Sequence, residues 1–366
     1  MTEKDSMTFR QYLAAIGLSV FSPMSRRLPE GVLDRAGFSG WLAPLAALPL
    51  LLGLAALLRC LTTAEGQSIG LGEALERRLG RVPGKLLSGL FVLWLVFYGG
   101  FVLRSGGERI ISTVYPTASL SIFLPLLLAL SLVFALGKLR WAGRSTLVLR
   151  LFFVLMLVLV LALALPSVKG AYVWPPVLRR PGRLLSAALP AAEMLAPCAC
   201  FSFLRGRVSE DEGSLQRAFR GILLLTLLTL LFLLAIIGDM GPELARRQQF
   251  PFFVMIKNLR LFNLMERFDA LIVGLWMMTD FVYVGMLLSS AAAALQGIAG
   301  SGGRKAWVLL CAAGMLAAAV FISRDAFAFY HVSEKLVPAV NLGIAFLLLP
   351  LIALCPPKKK IAKTEK

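Results

Sequence analysis

LLSAALPAAEMLAPCACFSFL, residues 184–204, decides the fold. The stretch is long and apolar enough to cross a bilayer as a helix, for which about 20 residues suffice. It also carries Pro190, Pro197 and a carboxylate, Glu193. Proline removes a backbone donor and clashes with the preceding turn, so a helix here kinks or unwinds. Unwound backbone at membrane depth is tolerated only where it lines a cavity. A carboxylate inside a span must be paired, protonated or hydrated, and marks function by default. The stretch therefore reads as a broken membrane helix that holds a functional acid.

A second interrupted segment lies near the N-terminus. Residues 8–24 contain Gly17 and then Phe21, Ser22 and Pro23, with Arg26 and Arg27 close behind. Working outward, apolar runs predict ten spans near 8–24, 40–60, 84–104, 119–137, 144–165, 184–204, 217–238, 268–296, 306–323 and 336–355. The two interrupted segments are helices 1 and 6, corresponding members of two halves of five. Interruptions at matching places of two halves point to a transporter-type binding site. The expected organisation is one integral membrane domain over residues 1–366, all α-helical. It has a five-plus-five inverted repeat (about 8–165 and about 184–355) and a basic tail at 356–366.

Composition agrees. The chain has 366 residues, 58% hydrophobic and 16% charged, with mean hydropathy +0.80. Soluble domains are nearer 45–50% apolar and about 25% charged, so disorder, a fibrous protein and an ordinary soluble enzyme are excluded. Lys and Arg outnumber the acids 38 to 20, for a net charge of +18. The bases fall between apolar runs, which suits lipid headgroups and topology rather than nucleic acid. With ten spans both termini share a side. The lysines of the tail make that side cytoplasmic by the positive-inside rule, with 21 bases there against 16 opposite and Arg150 left within helix 5. The N-terminal MTEKDSMTFR carries acids and no clear cleavage site, so it does not read as a removed signal peptide.

Enzymatic chemistry finds no support. Cys60, Cys198, Cys200, Cys311 and Cys355 form no CxxC, and the single histidine, His331, makes no metal site. No P-loop, GxGxxG or GxSxG motif is present, and neither a cofactor nor a metal is expected. The informative groups are intramembrane acids. Besides Glu193 there is Asp280, in the middle of LIVGLWMMTDFVYVGMLL. Trp276, Asp280 and Tyr283 share one helical face, with Thr279 beside them. Either Asp280 faces a ligand or it forms a structural ion pair, with Arg150 as the candidate partner. Tyr98 in helix 3 is followed by Gly99 and Gly100, which allow close backbone approach. Trp41, Trp174 and Trp307 stand near span ends, where an interfacial belt forms. Residues 250–268, FPFFVMIKNLRLFNLMERF, mix apolar side chains with Lys257, Arg260 and Arg267. They read either as an amphipathic helix at the outer interface or as a lid packed over the bundle.

MERFDALIVGLWMMTDFV, preceded by FPFFVMIKNL, resembles the endospore germination permease family, the B subunits of spore nutrient-germinant receptors. Glu266, Arg267, Asp269 and Ala270 match the family's Glu-Arg-x-Asp-Ala motif. Gly80, Gly84 and Lys85 are similar to its entry into helix 3, and Gly137 and Arg144 to its pattern before helix 5. Glu193 and Pro197 match its helix 6. The chain departs from the pattern at Ala118, at Ala192 and at Asp280, where a small or neutral residue is expected.

The resemblance implies a fold of the amino acid–polyamine–organocation type, with helices 1 and 6 broken around a small ligand. It also implies an A subunit and a C-subunit lipoprotein as partners in the inner membrane of a spore. On this reading a small nutrient, an amino acid above all, binds among Gly17, Phe21, Ser22, Pro23, Tyr98, Pro190, Ala191, Ala192, Glu193, Thr279, Asp280 and Tyr283. An active amino acid or polyamine symporter and a scaffold without a small ligand are the alternatives.

Overall fold

The runs of leucine, alanine and valine that fill this sequence form helices because each backbone group can then be satisfied within its own segment. In the computed structural model, which describes residues 5–174, 181–209, 213–258, 268–300, 302–322, 329 and 331–357, the chain is built almost wholly of them. They are α1 (Phe9–Arg26), α2 (Leu28–Ala36), α3 (Ala43–Thr62), α4 (Leu71–Leu79), α5 (Arg81–Thr113), α6 (Leu120–Leu136) and α7 (Leu139–Ala164) in the first half. The second half holds α8 (Pro181–Glu193), a 3-10 helix (Ala196–Arg207), α9 (Ser214–Met240), α10 (Pro242–Arg247), α11 (Pro251–Asn258), α12 (Phe268–Ala299), α13 (Arg304–Phe321) and α14 (Val332–Leu354).

Eight of the described stretches are long and apolar enough to cross a membrane. The first of these, Leu28–Thr62, already takes in α2, and the 17-residue α6 and the 18-residue α1 bring the number of spans to about ten, as the sequence predicts. The protein is an integral membrane protein of the five-plus-five kind, with helices 1 and 6 broken.

The first break falls beyond Pro23, at Arg27. α1 runs unbroken through Gly17 and Pro23 to Arg26, and α2 begins at Leu28, so the interruption is confined to Arg27 and is spanned by backbone bonds. The Arg27 amide donates to the Pro23 carbonyl and the Gly31 amide to the Arg27 carbonyl, each at 3.0 Å. The second break follows Glu193, where α8 ends. The chain turns at Met194 and Leu195 and then winds for 12 residues as a 3-10 helix. Runs of that kind seldom exceed 3–4 residues, and longer ones mark hinges. Helix 3 also outruns its predicted end at 104. An Arg104–Glu108 pair at 2.7 Å, one turn apart, carries α5 on to Thr113.

α12 is the axis of the bundle, packed against α1, α5, α6 and α13. Over its window 78% of residues are buried, against 22% for Leu139–Ser167. α7 is accordingly a rim helix that shows Val148, Leu151, Phe152 and Leu155 to lipid. Arg150 is exposed on that rim. Close approach of α5 to α13 depends on Gly100, where a Cβ would stand 2.6 Å from the Met315 carbonyl oxygen. A two-residue parallel ladder joins Met7–Thr8 to Val208–Ser209, so the start of helix 1 and the end of helix 6 lie on the same side.

The described part of segment 250–268, α11, packs into the bundle. Phe252 and Met255 are fully buried, and the Phe252 ring meets Phe21 edge-on with centroids 5.8 Å apart. It is a lid rather than a surface-lying helix. Residues 259–267, including Glu266 and Arg267, lie outside the described residues, as does the side chain of Asp269 and the lysine-bearing end of the tail.

Candidate functional site

The two breaks face each other. Where α1 hands over to α2, Arg27 places Nη1 3.6 Å from Oε1 of Glu193, the last residue of α8. Asn341 of α14 donates from Nδ2 to the same oxygen at 3.1 Å, and Trp94 of α5 donates from Nε1 to the Asn341 amide oxygen at 3.2 Å. Glu193 is only 6% exposed. The carboxylate is thus held by one charge and one neutral donor, which satisfies a buried acid without sealing it in.

Two cavities meet at this junction. An outer one of about 290 Å³ is lined by Pro23, Arg26, Arg27, Pro190, Glu193 and Lys335, among others. An inner one of about 20 Å³ is lined by Ser22, Pro23, Arg26, Arg27, Tyr98, Phe101, Ser105, Glu193 and Tyr283. Pro23, Arg26, Arg27 and Glu193 belong to both, so they form the wall between them. The outer cavity is near the lower size of ligand pockets, and the inner one has room for a single water. Tyr98 and Tyr283 close the inner end with a 2.8 Å hydrogen bond between their hydroxyls. Arg26 donates to Ser105 Oγ, and its guanidinium lies over the rings of Phe329 at 5.1 Å and Phe101 at 6.0 Å.

Chemically, an acid and a guanidinium that neutralise each other can each take one end of a zwitterion. The second arginine, Arg26, adds a planar donor fork suited to a carboxylate.

Asp280 lies elsewhere. It is 2% exposed and is ion-paired with Arg109 of α5, a residue with no exposure at all. The same guanidinium reaches Ser22 Oγ at 3.2 Å and the Ser22 carbonyl oxygen at 3.5 Å, and lies 4.8 Å from the Trp276 ring centroid. Gly106 makes room: a Cβ there would stand 2.8 Å from Asp280 Oδ2. The candidate partner from the sequence, Arg150, is on the lipid-facing rim, so Arg109 is the partner instead.

Of the predicted residues, the structure brings Ser22, Pro23, Tyr98, Glu193 and Tyr283 to the inner cavity and Pro190 to the outer one. Phe21 packs in the core against Phe153, Phe232 and Phe252. Gly17 lies mid-helix, and Ala191 and Ala192 are buried away from both cavities. Thr279 donates to the Trp276 carbonyl of its own helix and lines neither. Sequence reasoning missed Arg109 and Asn341. Arg109 fell beyond the predicted end of helix 3, whereas Asn341, a lone amide in the apolar run VPAVNLGIAFLLLP, could have been found. Among the described residues no cluster of His, Cys, Asp and Glu could hold a metal ion.

A sequence profile described as spore germination protein matches residues 13–326. No curated protein matches the chain. Among solved structures, one similar to it is Mhp1, a nucleobase-cation-symport-1 family transporter in a closed conformation with bromovinylhydantoin bound. The TM-score is 0.67 and the identity 12%, over 96% of this chain and 78% of that one. Another is MhsT in complex with L-phenylalanine, with TM-score 0.65 and 16% identity over 95% of this chain and 89% of that one. At these identities the likeness is one of fold.

Proposed function

The chain belongs to the spore germination protein family, and from that membership we propose that it is the transmembrane B subunit of a germinant receptor. It binds a small nutrient, an amino acid in the first instance, at the junction of helices 1 and 6. Arg27 opposite Glu193, shared by two cavities, is the observation that carries this reading. Glu193 takes the ammonium of the ligand, and the arginines at the joint take its carboxylate. Binding separates the wall, and the ligand shifts the conformational equilibrium by the difference in its affinity for the two arrangements. No catalytic chemistry is assigned.

The partners are an A subunit and a C-subunit lipoprotein, with membrane lipids around the apolar rim. The location is the spore inner membrane, with both termini cytoplasmic. The ladder between residues 7–8 and 208–209 supports that topology, since it puts the N-terminus and the basic residues after helix 6 on one side. The halves, about 8–165 and 184–355, are the two repeats.

A thermal-shift screen of the purified protein against amino acids, sugars and nucleosides tests the reading. A ligand at about 100 times its Kd adds roughly 2.7 kcal/mol of stability, and Glu193→Gln should abolish the shift. If no compound of any class shifts the protein, a scaffold without a small ligand replaces this reading. The fold shared with Mhp1, a nucleobase-cation-symport-1 family transporter, and with MhsT, solved in complex with L-phenylalanine, supports a second reading, an active amino acid symporter. Gradient-driven uptake by the protein alone in liposomes would establish it.

A further inference from the structure

A third cavity, of about 110 Å³, lies at the end of the bundle where helix 1 begins and the 3-10 segment of helix 6 ends. Its walls are apolar: Leu13 and Ile16 of α1, Leu51 and Leu54 of α3, Leu195, and Ile222 of α9. Leu13 and Ile16 stay only half-buried beside it. The outer two walls, α3 and α9, turn Leu50, Leu223 and Leu227 outward to lipid. Along α3 the cavity runs from Leu51 to Arg59, a length of about 12 Å at 1.5 Å per residue. One end is basic. Arg59 donates from Nη1 to Ser214 Oγ at 2.6 Å and makes no ion pair among the described residues. Arg205 stands behind it, its guanidinium 4.9 Å from the Phe9 ring centroid and 5.8 Å from that of Tyr12. Water needs two to four polar partners and finds too few along such walls. Left empty, the walls would forfeit their dispersion contacts. A hydrocarbon chain supplies those contacts, and a guanidinium at the mouth matches a phosphate.

We propose that this cavity binds an anionic phospholipid, with one acyl chain between α1, α3 and α9 and the phosphate on Arg59. In a bilayer the chain leaves one apolar medium for another, so close packing and the headgroup charge supply the preference. The bound chain touches both interrupted segments, α1 through Leu13 and Ile16 and helix 6 through Leu195. It is therefore a wedge between the two elements that break. None of its lining is shared with the cavities at Glu193, so the proposal stands apart from the nutrient site.

The test uses the full-length chain, delipidated in detergent, and native mass spectrometry with phosphatidylglycerol, phosphatidylethanolamine or inorganic phosphate. Phosphatidylglycerol should bind as one tight copy, and phosphatidylethanolamine roughly tenfold more weakly. Arg59→Gln should erase that preference, while Arg59→Lys keeps most of it. Arg59 is partly exposed, so Arg59→Gln should melt with the wild type in lipid-free detergent, which separates lost binding from lost folding. Ala55 and Ala218 line the cavity on α3 and α9. Ala55→Phe and Ala218→Phe each put a ring into the gap and should remove the tight copy; either one suffices if the other does not fold. Equal binding of the two lipids by the wild type would overturn the proposal. So would a tight copy retained by both phenylalanine variants, or inorganic phosphate that binds as tightly as the lipid.

Discussion

Helix 1 ends between two arginine–carboxylate pairs, and they differ in almost everything but chemistry. Arg109–Asp280 is buried on every side, braced by Ser22 and covered by Trp276. Arg27–Glu193 is looser, at 3.6 Å, with its arginine partly exposed and both members lining two cavities. A buried pair is costly to break, because removing one member strands the other in a medium of low dielectric. A pair that borders a cavity can be replaced by water or by a ligand of matching charge. The first pair therefore fixes the helix, and the second leaves its broken end free to respond.

Substitutions sharpen that contrast. Asp280→Asn strands Arg109 and should destabilise the protein by about 3–5 kcal/mol, read as a shift in denaturant or thermal midpoint. An equal loss from Glu193→Gln would erase the distinction. Glu193→Gln should instead leave the ligand-free midpoint within about 1 kcal/mol of wild type, since a neutral amide can still bond Asn341. It should lose the roughly 2.7 kcal/mol that a saturating ligand adds.

Gly106→Ala pushes a Cβ against the Asp280 carboxylate. By overpacking it should cost about 1–3 kcal/mol while leaving ligand affinity intact. The smallest effect belongs to Tyr98→Phe, which deletes the hydrogen bond to Tyr283. A loss of about 0.5–1.5 kcal/mol is expected, and a much larger one would mean that the inner cavity wall is as rigid as the Arg109 cluster.

These pairs also show what could be read before folding. Glu193 was legible because an apolar run seldom carries a carboxylate just after a proline unless its charge has a use. Asp280 was equally visible, but its role was not. Its partner sits 171 residues away, past the end at 104 that apolar length predicts for helix 3. Local pattern marks an intramembrane charge; only tertiary packing says whether another charge neutralises it. The break in helix 1 was legible to within one turn. Proline announces that a ladder bond is missing, while the place where the chain bends depends on what the next turn packs against. The ten spans were the most legible feature, since each follows from apolar length alone.

The 3-10 winding of Ala196–Arg207 has a mechanical consequence. A 3-10 helix rises about 2.0 Å per residue and an α-helix 1.5 Å, so rewinding these 12 residues would shorten the segment by about 6 Å. Its far end is tied through Val208–Ser209 to Met7–Thr8, the leader of helix 1. Such a change of pitch would act as a winch, drawing both half-helices by the same cord, so that neither could travel without the other.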